Sequence, residues 1–172
     1  MLINSNEKVF WTLLQHKDWK IHIASTTKGL CFVGSHEESI NELLAFKNKY
    51  FKRFDLIEDR EIMLPYSEEL IEFLDGKRTN FTFNLDFHGT PFQNAIWNAL
   101  CSINYGETKS YSDIATLINK PKSVRAVGTA IGANPILIVI PCHRVIGKNG
   151  SLTGYRGGLD MKLNLLELES RI

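Results

Sequence analysis

Residues 110–132 read Ser-Tyr-Ser-Asp-Ile-Ala-Thr-Leu-Ile-Asn-Lys-Pro-Lys-Ser-Val-Arg-Ala-Val-Gly-Thr-Ala-Ile-Gly, and the architecture of the C-terminal half turns on them. Ser110, with Asp113 three positions on, is a capping pattern, so a helix runs from there to about Ile118, with Ile114, Ala115 and Leu117 facing inward. Asn119-Lys120-Pro121 breaks it. A second, small-residue-rich helix follows from about Lys122 to Gly132. Two short helices joined by a tight turn form a helix-turn-helix, the arrangement that offers its second helix to a nucleic-acid groove. Many compact helical domains contain such a pair, so the pattern alone does not establish DNA binding.

Upstream, Thr90-Pro91-Phe92-Gln93 is a capping box with proline at the first helical position, and predicts a helix to about Ile103. Its apolar face is Phe92, Ile96, Trp97 and Leu100. Downstream, Asn134-Pro135 ends the second helix of the pair, because the residue before proline is pushed out of the helical region. The apolar run Ile136–Ile140 must be buried, and it delivers Pro141-Cys142-His143-Arg144 from the core toward a surface. Gly147-Lys148-Asn149-Gly150 is a turn, and Gly154-Tyr155-Arg156-Gly157-Gly158 a glycine-rich loop. Leu159–Glu169 closes the chain as an amphipathic helix.

The first half is mixed α and β. Val9–Leu14, Trp19–Ala24 and Leu30–Gly34 are short β-rich segments at meander spacing, which predicts antiparallel pairing. Glu37–Phe51 carries a helical stripe; Pro65–Leu74 opens with proline and ends before Gly76, as a short helix does. Asn80–Phe87 alternates Phe81, Phe83, Leu85 and Phe87 and is expected to be a half-buried strand. None of this carries recognisable chemistry. The fold class is therefore α+β, with a scaffold domain over 1–88 and a mainly helical domain over 89–172.

A chain of 172 residues with 44% hydrophobic and 23% charged side chains is an ordinary globular protein with room for an ample core. No apolar stretch approaches the ~20 residues that span a bilayer, and Met1–Lys8 lacks the layout of a signal peptide. Three scattered cysteines, Cys31, Cys101 and Cys142, form neither a disulfide framework nor a zinc pattern, which fits a reducing cytoplasm. The net charge of +1 conceals an asymmetry: residues 1–86 hold 11 basic against 14 acidic side chains, residues 87–172 hold 9 against 5. A polyanion would meet the C-terminal half.

Cys142 lies directly after a proline and directly before a histidine and an arginine. Thiolate is the reactive form of cysteine, and cationic or imidazole neighbours make it accessible near neutral pH. Cys142 is thus a candidate nucleophile. His16, His22, His36 and His88 have no such setting and read as structural.

Together these pieces resemble the O6-alkylguanine-DNA alkyltransferase family. The match runs through Gly89–Gln93, Tyr105–Thr108, Ser110-Tyr111, Arg125–Gly128, Gly132–Pro135, Pro-Cys-His-Arg-Val and Gly157-Gly158, covering nearly all of 89–169 with the family's spacing. The first half matches loosely, as that family's variable N-terminal domain does. The resemblance implies an RNase H-like N-terminal domain, a winged-helix-like C-terminal domain, and alkyl transfer from O6 of guanine, or O4 of thymine, in double-stranded DNA to the protein's own cysteine. It implies no cofactor, no metal, no membrane and a monomer that acts once.

On this resemblance Cys142 is the acceptor, His143 the base acting through a water, and Glu169 the acid that orients the histidine. Arg144 makes structural polar contacts. Arg125 is the finger that fills the place of a flipped nucleotide; Tyr111 crowds the rotated phosphate, and Ser110, Lys122 and Ser123 hold the backbone. Asn134 is the hinge that ties the recognition helix to the active-site turn by backbone hydrogen bonds. Tyr155 stacks on the base, the Val145 carbonyl accepts from its exocyclic amine, and N–H groups near Arg156 donate to O6. Some relatives have a serine at position 156; an arginine there donates to O6 instead, or points to solvent. A non-catalytic alkyltransferase-like binder is the nearest alternative, and such relatives lack the cysteine. A transcriptional regulator would have no use for Cys-His-Arg, and a cysteine hydrolase would not set its histidine beside the nucleophile.

Overall fold

A computed structural model describes residues 7–170; the reading of Met1–Asn6 as part of a leaderless N-terminus lies outside the described residues. Three strands, β1 (Lys8–His16), β2 (Trp19–Thr26) and β3 (Gly29–Val33), pair antiparallel as the meander spacing predicts. A fourth strand, β4 (Asp55–Glu58), adds in parallel to β1, so the sheet is mixed, in the order β3-β2-β1-β4. With only Leu56 and Ile57 apolar, β4 is too short to show a period in the sequence.

Two helices serve the sheet. α1 (Asn41–Tyr50) packs Leu43 and Phe46 against Val9, Ala24, Cys31 and Phe32 on one face. α2 (Arg60–Leu74) lies on the other with Met63, Leu70 and Phe73. The helix begins five residues before Pro65, because the start signal is Asp59, whose carboxylate accepts from the Ile62 N–H. Pro65 is carried inside the helix rather than opening it.

Residues 80–87 are not a strand. Leu85 alone bridges to Leu30, through Leu30 N–H to Asn84 O at 3.0 Å and Asp86 N–H to Leu30 O at 2.8 Å. The alternating aromatics lodge in the core instead, Phe81 against Phe73 and Phe83 against Tyr66. Alternation reports which side chains are buried, not whether a ladder forms.

In the C-terminal half, α3 (Pro91–Leu100) opens on the capping box of Thr90 and Gln93, with both reciprocal bonds made. α4 (Tyr111–Leu117) and α5 (Val124–Gly132) are the helix-turn-helix, joined through Asn119 in the left-handed region at φ 58°. Ile114 and Ala115 are buried, but Leu117, at the end of α4 and past the cover of α3 and α5, is 55% exposed and does not face inward. The Trp97 indole donates to Ala130 O at 2.9 Å, pinning α3 to the recognition helix. Two-residue strands β5 (Lys109–Ser110) and β6 (Val145–Ile146) pair in parallel and set the start of α4 beside the end of the cysteine turn. α6 (Leu159–Ser170) closes the fold. One hydrophobic cluster runs from Leu14, Ile23 and Val33 of the sheet to Ile96, Val127, Ile140 and Leu165, so the two halves share a core.

Candidate active site

Ile136–Ile140 are all at most 9% exposed, as an unbroken apolar run requires. Ile138 takes φ 69°, a conformation a β-branched residue adopts only under constraint. The segment is held by Val33 of β3, which donates to Pro135 O at 3.0 Å and accepts from Leu137 N–H at 3.2 Å. It hands the chain to a single 3₁₀ turn, Cys142–Arg144, that brings three buried polar side chains together.

Cys142 is 3% exposed and His143 fully buried. The Asn134 amide donates to Cys142 Sγ at 3.0 Å, and also to Ile136 O and Ile140 O, while its Oδ1 accepts from Ile136 N–H at 2.9 Å. That last bond assigns the amide orientation, because only oxygen can accept it. Asn134 thus ties the end of α5 to the cysteine turn through its side chain, which reaches the sulfur itself, and not only through backbone bonds. Burial pushes the Cys142 thiol up; the Asn134 hydrogen bond and the charges of Arg156 and Lys162 pull it back.

His143 Nε2 meets Glu169 Oε1 at 2.7 Å. An ionised carboxylate only accepts, so Nε2 carries the proton and Nδ1 keeps a lone pair; buried Nδ1 has no protein partner. Burial lowers the His143 pKa and keeps the ring neutral, against the pull of Glu169. Glu169 is itself held by Arg144, whose Nε donates to both carboxylate oxygens at 3.1 and 2.9 Å and whose Nη2 donates at 2.9 Å. The Gly106 N–H adds a fourth donor group. Burial pushes the Glu169 carboxyl up, but the hydrogen bonds from His143 and Arg144 prevail and hold it at about 2. Arg144 completes its set on Ile103 O at 2.6 Å.

The groups expected to meet DNA sit at the N-terminal ends of α4 and α5. Arg125 and Lys122 are exposed on and before α5. Ser123 occupies the N-cap position of α5, yet its side chain makes no capping bond. Ser110 caps α4. Tyr111 runs alongside α5 near Gly128, and its hydroxyl donates to Thr153 O at 3.0 Å. The glycine-rich loop thereby closes against the start of α4. Tyr155 follows in that loop, its hydroxyl buried without a protein partner.

Two side chains depart from the sequence reading. Arg156 neither reaches toward a base nor points to solvent. Its guanidinium pairs with Glu42 of α1 and donates to Asn134 O at 2.9 Å, Val33 O at 2.8 Å and Pro135 O at 3.3 Å. Lys162 belongs to a helix that the sequence marks only as amphipathic, yet it is fully buried, donating to Val145 O at 2.6 Å and Thr153 O at 2.9 Å. The signal was present, since Lys162, Leu165 and Glu169 share one face of α6. A cleft of about 710 Å³ lined by Phe81, Cys101, Tyr105 and Arg144 lies behind the Arg144–Glu169 pair and does not include Cys142. Among the described residues no cluster of metal-ligating side chains exists and no helix is long and apolar enough to cross a membrane.

A buried thiol with a histidine–carboxylate pair beside it, in a domain that carries a helix-turn-helix, is the arrangement of a cysteine nucleophile joined to a nucleic-acid-binding element. Comparison with known proteins specifies it further. Residues 91–171 match the DNA-binding domain, and residues 9–87 the ribonuclease-like domain, of 6-O-methylguanine DNA methyltransferase. The inducible methylated-DNA–protein-cysteine methyltransferase of Bacillus subtilis is 60% identical over 163 residues, covering 95% of this chain and 91% of that one. The crystal structure of the Mycobacterium tuberculosis O6-methylguanine methyltransferase superposes with a TM-score of 0.81 at 36% identity, covering 94% and 93% of the two chains. A second structure of the M. tuberculosis protein, in complex with DNA, gives 0.79 at the same identity, covering 95% and 92%. The chain belongs to the O6-methylguanine DNA methyltransferase family. It is a cysteine alkyltransferase that repairs DNA by direct reversal.

Proposed function

We propose that Cys142 is the alkyl acceptor and that each molecule acts once. The observation that carries this is the pairing at the 3₁₀ turn: Asn134 Nδ2 on Cys142 Sγ at 3.0 Å, with the next residue, His143, bound to Glu169 at 2.7 Å. The sulfur's proton passes through a water to Nδ1 of His143, and Glu169 stabilises the imidazolium that forms. The thiolate attacks the alkyl carbon; the S–C bond forms as the C–O6 bond breaks. The oxygen leaves with the bonding pair, and the base takes up one proton to become guanine. A thioether is stable, and no step returns the cysteine.

Within the duplex O6 is inaccessible, so the nucleotide is flipped out. Arg125 fills the vacated place, Tyr111 crowds the rotated phosphate, and Ser110, Lys122 and Ser123 hold the backbone, which fixes position without reading sequence. Tyr155 stacks on the base. The Val145 carbonyl accepts from the exocyclic amine with its remaining lone pair, and loop N–H groups near Arg156 donate to O6, where negative charge develops. O4-alkylthymine enters the same pocket less readily. The protein works as a monomer, in the cytoplasm, without a cofactor. Residues 1–88 form the scaffold domain and residues 89–172 the repair domain.

The test is intact-mass and peptide mass spectrometry after incubation with a duplex containing O6-methylguanine. One methyl on the Cys142 peptide, with no cofactor supplied, is expected. Clearance of the lesion by Cys142→Ser, or a methyl on Cys31 or Cys101, would falsify the assignment.

A further inference from the structure

Among the described residues of the N-terminal half none is hydrogen-bonded to the sulfur, yet one side chain there is wired to it. Glu42 of α1 is fixed at both oxygens: Oε2 accepts from Ser35 N–H at 2.8 Å and Oε1 from the Ser35 hydroxyl at 2.8 Å. Oε1 also pairs with Nη1 of Arg156. Gly34 leaves the room, since a Cβ there would lie 3.0 Å from Glu42 Oε2. Arg156 spends its other donors on carbonyls alone, those of Val33, Asn134 and Pro135, and lies over the Phe32 ring. The Ser35 hydroxyl also reaches Arg156 O at 3.3 Å, so one serine touches both partners of the ion pair.

The position of Asn134 makes this more than a staple between two halves. Its carbonyl is the acceptor for Arg156 Nε, and its own side chain is the donor to Cys142 Sγ. Glu42, Arg156, Asn134 and the sulfur are therefore consecutive links in one hydrogen-bonded chain.

We propose that Glu42 is a positioning residue for the nucleophile, acting through Arg156 to hold the Asn134 amide on the Cys142 sulfur. Arg156 is about four-fifths covered, and among the described residues the only carboxylate in its bonding set is Glu42. Without that carboxylate the guanidinium gains by turning to water, since three neutral acceptors replace its hydration poorly. The Asn134 peptide then loses the donor that fixes it, and the amide loses its aim. This rests on Cys142 being the acceptor.

The sign of the effect separates positioning from simple electrostatics. Were Arg156 to stay in place, removing Glu42 would leave more positive charge near the sulfur and speed its reaction. Loss of position slows it.

The experiment is Glu42→Gln, which keeps size and removes charge, read by two probes on the intact chain. These are the alkylation rate of Cys142 by iodoacetamide, which needs no base pocket, and the maximal first-order rate with free O6-benzylguanine. Both are expected to fall about tenfold, short of the roughly hundredfold that a 1 Å misplacement of a reacting group can cost, in protein that remains folded by circular dichroism. Rates equal to or above wild type in folded Glu42→Gln overturn the proposal, and so does a loss with O6-benzylguanine alone. If Glu42→Gln does not fold, Arg156→Lys is read the same way, because an ammonium cannot span the four acceptors. A methyl group found away from Cys142 in the wild-type chain would sink the acceptor assignment instead, so the two failures are distinguishable.

Discussion

Glu169→Gln is the most informative single perturbation of this site. In the folded chain the carboxylate is held at about 2, against roughly 4.5 when unfolded, and each pKa unit corresponds to about 1.4 kcal/mol. The displacement therefore contributes about 3 kcal/mol to stability at neutral pH. A second route gives a similar figure: breaking a buried ion pair by removing one partner costs about 3–5 kcal/mol, and the variant leaves Arg144 buried beside a neutral amide. For a chain of this length about 3 kcal/mol lowers Tm by roughly 8 °C. The folded pKa is depressed, so the contribution is complete above the unfolded value and is lost as pH falls from about 4.5 toward 2. At pH 3 only about 1.4 kcal/mol of it remains. Urea unfolding of wild type and variant at pH 7, 5, 4 and 3 should show a gap of about 3 kcal/mol that narrows by about half at pH 3. A gap that stays constant across that range, or is under about 1 kcal/mol at pH 7, would refute the account of a carboxylate held charged by His143 and Arg144.

Two further outcomes follow from the site. Arg125→Ala is expected to slow repair of a duplex far more than reaction with a free O6-benzylguanine base, because the exposed Arg125 acts only where a nucleotide must be displaced; single-turnover rates on the two substrates check it, and equal losses exclude the finger role. Lys162→Met keeps the packing volume but leaves Val145 O and Thr153 O without their shared donor, costing about 1–3 kcal/mol of stability. The same change should raise the half-saturating concentration of the free base, because the Val145 carbonyl is the acceptor proposed for its exocyclic amine, and an unchanged binding curve would dismiss Lys162 as a pocket support.

Sequence pattern read most directly where a feature is local. The capping boxes at Thr90 and Ser110 are complete within four residues, and both helices start where those residues place them. The meander was legible because antiparallel neighbours are adjacent in the chain. β4 was not, since its partners in β1 lie 47 residues away and a parallel pairing leaves no local signature. Pro65 misled because proline at a helix start is a tendency, and the carboxylate of Asp59 outweighed it.

At the site, Cys142, His143 and Glu169 could be named from motif and resemblance, and the fold buries all three, with Asn134 bonded to the sulfur and the adjacent His143 to Glu169. Lys162 was hidden in plain view, since a lysine on an amphipathic helix ordinarily faces water. Its burial depends on two carbonyls from segments 17 and 9 residues away.

By itself, then, the amino-acid order determined the helix-turn-helix and the apolar run that presents Cys-His-Arg, because those depend on neighbours within a few bonds; the partners that tune that trio, Asn134 and Glu169, came with the fold. Tertiary structure alone decided where Arg156 points and what it holds. Its partner Glu42 is 114 residues distant, and a guanidinium can satisfy its donors on a base, on water or on a second half of the protein with equal chemical logic. The places that the fold gives Glu42 on α1 and the Val33 carbonyl on β3 select among them.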